Sequence, residues 1–245
     1  MCECGVSTAG TDTMVGRRTV LKLAATAGAA LAFLPRAHAQ VAKPPPKPEN
    51  VLSPDAALDR LMKGNTRYVD GVAKRHDFNH EREPLRTGQN PFAGVLSCAD
   101  SRIAPEYCFD TARGDLFVCR VAGNFASDEI IASLEYAVHA LNTPLILVLG
   151  HEACGAVDAT IKSLKDDKPL PGHMPSLVSA IAPAVKAVAR QGGNELDNAI
   201  RQNVIDNVAK LKGATPILSA AVEQGKLKVV GGIYRLKSGK VEMVA

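Results

Sequence analysis

The chain has 245 residues, of which 46% are hydrophobic, 22% charged and 4% aromatic, with no tryptophan. That apolar content excludes a mainly disordered chain, and 20 Gly and 15 Pro without a period exclude a fibrous one. A formal net charge of +4 is too weak to point to nucleic acid, and six cysteines are too sparse for a disulfide scaffold, so each is read separately.

Residues 1–39 read as a cleavable export signal. A polar start ends in Arg17-Arg18, an apolar run follows from Leu23 to Leu34, and Ala37-His38-Ala39 supplies the small residues of a cleavage site. Twelve apolar residues fall short of the roughly 18–20 that a bilayer span needs, so no permanent membrane span is expected. Gly16-Arg17-Arg18-Thr19-Val20-Leu21-Lys22 resembles the twin-arginine export motif of bacteria, with Gly16 and Val20 departing from its usual residues. The resemblance implies passage through the twin-arginine translocase and a periplasmic or otherwise extracytoplasmic destination. Residues 40–52 form a linker in which Lys43-Pro44-Pro45-Pro46-Lys47-Pro48 reads as a stiff extended tether. The remainder, 53–245, is read as one domain.

Ser53-Pro54 opens a helix, a capping hydroxyl before proline at the first helical position, with Ala57, Leu58, Leu61 and Met62 on its apolar face and Gly64 weakening its end. Phe92 to Ser97, Leu116 to Cys119 and Leu145 to Leu149 are short uncharged runs of the kind buried parallel strands show, the last ending at Gly150. Ser127 to Leu141 has helical spacing, as do Leu196, Ile200, Val204, Val208 and Leu211 before Gly213. Thr215-Pro216 starts a further short helix, and Leu227 to Tyr234 is strand-like. Strand alternates with helix, which predicts an α/β fold with a mostly parallel β-sheet flanked by helices on both faces. In such sheets the chemistry gathers at the carboxyl ends of the strands.

Two of those ends carry related groups. The first strand runs into Cys98-Ala99-Asp100-Ser101-Arg102, and the strongest into Gly150-His151-Glu152-Ala153-Cys154-Gly155. Cys98, His151 and Cys154 make a Cys₂His donor set, for which tetrahedral zinc is the best-suited metal. Asp100 is either a fourth ligand or an orienting neighbour, and Arg102 suits a two-pronged hold on its carboxylate. Cys119 reads as a buried small hydrophobe and Cys108 as the same, with a disulfide between them supported only by proximity.

Cys-Ala-Asp-Ser-Arg, followed 49 residues later by His-Glu-Ala-Cys-Gly, resembles the β-class carbonic anhydrases. The likeness continues through Gly123-Asn124, Leu134-Glu135-Tyr136-Ala137 and Gly231-Gly232-Ile233-Tyr234, and so covers most of 53–245. Ala99 replaces the family's usual Ser, and Glu152 stands where its common Gly-His-Ser carries Ser; neither change removes a ligand. The resemblance implies reversible hydration of carbon dioxide to bicarbonate and a proton. In it, Cys98, His151 and Cys154 hold one Zn²⁺ per subunit, and the hydroxide on that zinc is oriented by Asp100 and Arg102. It implies substrate contacts at Gln89, Phe117, Tyr136 and Gly155, with part of the pocket wall supplied by a neighbouring subunit of a homodimer or larger homo-oligomer. It also implies that Asp100 in some members becomes the fourth metal ligand of a closed state. His139 and His173 are the candidates for a proton shuttle. Val95 stands where one subclass carries a tryptophan in a regulatory bicarbonate pocket, so that regulation is not expected here.

Two other functions fit the same motifs. One is hydrolysis of carbonyl sulfide or carbon disulfide on the same fold, and the other is non-catalytic zinc binding, which leaves Gln89, Asp100 and Arg102 without a task. The two sequence signals support each other. A twin-arginine substrate is exported folded, so zinc can be loaded in the reducing cytoplasm and shield Cys98 and Cys154 afterwards.

Overall fold

The aliphatic runs become the centre of a five-stranded sheet in the computed structural model, which describes residues 52–245. The export signal and nearly all of the linker lie outside the described residues. The strands are β1 (Ala93–Ser97), β2 (Leu116–Arg120), β3 (Leu145–His151), β4 (Lys228–Tyr234) and β5 (Val241–Met243). Their spatial order is β2-β1-β3-β4-β5, parallel throughout except for β5, which pairs antiparallel with β4. The helices are α1 (Pro54–Val69), α2 (Phe78–Leu85), the single turn α3 (Pro105–Cys108), α4 (Asp128–Leu141), α5 (Gly155–Lys165), α6 (Pro175–Val188), α7 (Glu195–Lys212) and α8 (Ile217–Glu223). The predicted α/β architecture is the observed one. No helix among the described residues is long and apolar enough to cross a membrane.

Strand side chains alternate between two buried faces, which is why β1 and β3 read as unbroken apolar runs. Leu96, Ile146, Val148, Val229 and Ile233 pack under Leu134 of α4, Ile181 and Val185 of α6, and Ile200, Val204 and Val208 of α7. Val95, Leu145, Leu147, Leu149 and Val230 face Ala57 and Leu61 of α1 together with Phe92, Ile103 and Phe109. Cys119 belongs to the first of these clusters and Cys108 to the second, and all four described cysteines are free, so the disulfide between the two does not form.

Ser53 caps α1 as expected, its hydroxyl accepting from the Ala56 N–H at 3.2 Å. Gly64 does not weaken the helix end; α1 continues five residues past it to Val69. A Cβ there would lie 1.8 Å from the Phe109 carbonyl oxygen, so this glycine lets the helix touch the backbone that follows α3. The strand expected to end at Leu149 extends to His151, because Gly150 and His151 pair with Ile233 and Tyr234 of β4. Helices α2 and α6, the single turn α3 and strand β5 have no counterpart in the sequence pattern. Pro84 sits inside the first and Pro183 inside the second, breaking the pattern by which a helix is read.

A candidate metal centre at two strand ends

Parallel pairing of β1 with β3 puts Ser97 opposite Leu149, so the segments leaving these strands emerge side by side. Cys98 follows β1, His151 ends β3, and Cys154 caps the N-terminus of α5. Their ligand atoms all lie within 4.8 Å of one another, and the residues are 3%, 0% and 1% exposed. Among the described residues this is the one such convergence of His, Cys, Asp or Glu side chains.

Hydrogen bonds orient His151 and Cys98. Nδ1 of His151 lies 2.9 Å from the Glu152 carbonyl, which can only accept, so Nδ1 carries the proton and Nε2 presents its lone pair. Nε2 is buried with no hydrogen-bond partner. The Gly123 N–H donates to Cys98 Sγ at 3.3 Å. Gly123 has a φ of 87°, and a Cβ on it would meet Ile181 Cδ1 at 2.5 Å, so only glycine brings this amide to the sulfur. The neighbouring Cys154 thiol holds the pKa of Cys98 down to about 4, while Cys154 itself is pushed up by Cys98 beside it and by burial. A divalent metal ionises both, and the α5 N-terminus favours the second thiolate. An orphaned imidazole nitrogen facing two buried sulfurs is a donor set that fits zinc.

Asp100 stands beside this group. Its Oδ1 accepts from the backbone N–H and the Nε of Arg102, both at 2.9 Å, and its Oδ2 accepts from Nη2 at 2.7 Å. This fork holds its carboxyl well below the usual carboxylate range. Arg102 Nη2 also reaches the Ala153 carbonyl at 3.3 Å, joining the two motifs directly. Oδ2 lies 3.9 Å from His151 Nε2, too far for a hydrogen bond, so in this arrangement Asp100 neighbours the donor group and does not complete it.

The loop carrying Cys98 and Asp100 is braced by a residue that the sequence reading missed. Arg120, at the end of β2, donates from Nε to the Cys98 carbonyl at 2.9 Å and from Nη2 to the Asp100 and Ile103 carbonyls at 2.7 and 2.9 Å. The signal was present as an arginine closing an otherwise apolar strand. A second unpredicted support comes from α7. Asn203 donates to the Gly123 carbonyl at 2.8 Å, Asn207 accepts from the Ala126 N–H at 2.7 Å, and Lys210 donates to the Ala126 carbonyl at 2.6 Å.

The remaining predicted residues do not all converge. Gly155 is exposed at the first position of α5 with open space before it. Gln89 is exposed on the loop before β1. Phe117 is half-buried on β2, paired in register with Gly94, and packs at 6.3 Å between ring centroids on Tyr136 of α4, which is 53% exposed. That pair sits along the sheet from the cysteines and not at the strand end. His139 and His173 are exposed outside the donor group.

A family model described as carbonic anhydrase matches residues 93–241. Carbonic anhydrase 2 of Mycobacterium tuberculosis is 38% identical over 190 residues, spanning 77% of this chain and 91% of that protein. Among solved structures, the β-carbonic anhydrase CcaA aligns with a TM-score of 0.59 at 27% identity, over 77% of this chain and 98% of that one. The Coccomyxa β-carbonic anhydrase in complex with acetazolamide aligns with a TM-score of 0.59 at 28% identity, over 76% and 86%. The chain belongs to the carbonic anhydrase family, and the structures it resembles are of the β class.

Proposed function

We propose that this protein is a zinc-dependent carbonic anhydrase that interconverts carbon dioxide and bicarbonate. The observation that carries the reading is the buried convergence of Cys98, His151 and Cys154 beside a forked Asp100–Arg102 pair. The three residues would hold one Zn²⁺ per subunit. When bound, zinc supplies the Lewis acidity that makes water a nucleophile near neutral pH. Asp100, kept ionised by Arg102, accepts a hydrogen bond from the attacking hydroxyl group and turns its lone pair toward the substrate carbon. Arg102 acts through Asp100 and ties it to the Ala153 carbonyl, so the orienting group and the donor loop keep one geometry. Burial of the donor set excludes competing water and strengthens these fixed dipoles. Gln89, Gly155, Phe117 and Tyr136 belong to the substrate pocket in this proposal, the aromatic pair serving a neighbouring subunit's site.

A homo-oligomer is part of the proposal, supported by the exposed ring of Tyr136 and by fold relatives from Sordaria macrospora that are described as tetrameric. Export through the twin-arginine route and an extracytoplasmic location rest on Arg17-Arg18 and the apolar run after them. The test of function is carbon dioxide hydration by the zinc-loaded protein against Cys98→Ser. We expect the variant to lose at least a hundredfold in kcat/KM, on the order of what loss of a catalytic metal entails. Equal rates would overturn the reading.

A further inference from the structure

We propose that Glu152, which stands where the family motif usually carries Ser, is a positioning residue that aims His151 at the two cysteines. Its three hydrogen-bonding groups act in one direction. Its backbone N–H donates to the Tyr234 carbonyl at 2.9 Å, and its carboxylate Oε2 accepts from the Leu236 N–H at 3.0 Å. Both anchors lie at the end of β4, where the chain turns toward β5. The Glu152 carbonyl accepts the hydrogen bond from the His151 Nδ1–H. The Leu236 amide pairs with no strand, so the Glu152 side chain is what joins the metal loop to the β4–β5 turn. Without that carboxylate the loop keeps the Glu152 N–H bond to Tyr234 at the end of β4 and the Arg102 bond to the Ala153 carbonyl, and loses its tie to the turn beyond. The peptide plane bearing the Glu152 carbonyl is then less restrained, and with it the ring that this carbonyl holds through Nδ1 and whose Nε2 has no hydrogen-bond partner.

The inference rests on the proposed zinc site and is tested by metal binding. Zinc affinity is measured by competition with a chromogenic chelator for the wild type, Glu152→Ala and Glu152→Gln, and cobalt(II) is loaded into each for its visible spectrum. Gln retains an oxygen that can accept from Leu236; Ala does not. We expect Glu152→Ala to bind zinc about tenfold more weakly, within the range that ligand-orienting hydrogen bonds carry at metal sites, and to shift the cobalt bands. Glu152→Gln should keep affinity and spectrum near those of the wild type. An unchanged Glu152→Ala, or a Glu152→Gln as impaired as Glu152→Ala, overturns the inference while leaving the zinc reading intact. A wild type that binds no zinc overturns both. Should Glu152→Ala not fold, the wild type decides by itself. Histidine ¹⁵N spectra of the zinc-loaded protein must show a slowly exchanging proton on His151 Nδ1, and a metal-bound Nδ1 overturns the proposal.

Discussion

Between His151 and Cys154 the backbone passes through Ala153 at a φ of 53°, a left-handed conformation that costs an L-residue roughly 1–2 kcal/mol. The strain is held by the bonds on either side, from Glu152 to β4 and from Arg102 to the Ala153 carbonyl. Glycine relieves it but adds backbone entropy to the unfolded chain. Ala153→Gly should therefore be more stable by about 0.5–1 kcal/mol in urea unfolding. Asp100 sets a second expectation at this scale. Its folded-state pKa is depressed by Arg102, so the stability this pair contributes is complete above the ordinary carboxylate pKa of about 3.9 and fades as pH falls through the lower folded value. Wild type and Asp100→Asn should then differ most in unfolding midpoint near neutral pH and converge only in strong acid. Across the neutral range Asp100 stays charged, and any pH-rate profile there reports another group.

At the scale of elements, α7 holds more of the site together than its apolar stripe suggests. Asn203 and Asn207 lie one turn apart beside Val204 and Val208, buried, with the Asn207 amide also donating to the Asn203 carbonyl at 2.7 Å. Removing the Asn203 side chain leaves the Gly123 carbonyl unpaired in a dry place, which costs about 1–3 kcal/mol. Asn203→Ala should lower the thermal midpoint accordingly and weaken zinc retention, since Gly123 is the residue whose amide meets Cys98. Gly64→Ala should cost at least the roughly 1–3 kcal/mol typical of overpacking, because the Phe109 carbonyl occupies the space the methyl group needs. These two elements also show what the chain discloses in advance. The stripe Ile200, Val204, Val208 announces a helix because burial of aliphatics has a period. An asparagine pair that satisfies a loop 80 residues away has none, and it looks like an ordinary polar face. Gly64 misleads for the related reason that a glycine placed for contact has the same letter as one that ends a helix.

For the whole molecule, the sheet and the three sulfur and nitrogen donors were readable because each donor lies at or just past the end of a buried strand, where pattern and chemistry coincide. The braces were harder to see: Asn203 and Glu152 act on backbone carbonyls and amides, which carry no sequence signature, and Arg120 shows only as an arginine closing an apolar strand. Metal binding should be felt throughout this arrangement. A ligand that binds only the folded state stabilises it by about 2.7 kcal/mol at a free concentration one hundred times its dissociation constant. Zinc-loaded protein should accordingly melt several degrees above protein stripped with a chelator, and zinc should restore the difference.

Cys98 and His151 are far apart in sequence, and only the pairing of β1 with β3 brings them together. The ion's binding place is thus a late product of folding: it does not exist until a parallel crossover has closed, the slow class of event in chain assembly. A zinc finger is folded by its metal; here the order is reversed, and β1 must pair with β3 before there is anything to load. In refolding with zinc present from the start, metal uptake should lag or match recovery of the sheet and never precede it. For a chain that we propose leaves the cytoplasm already folded, this makes zinc occupancy a record of completed folding.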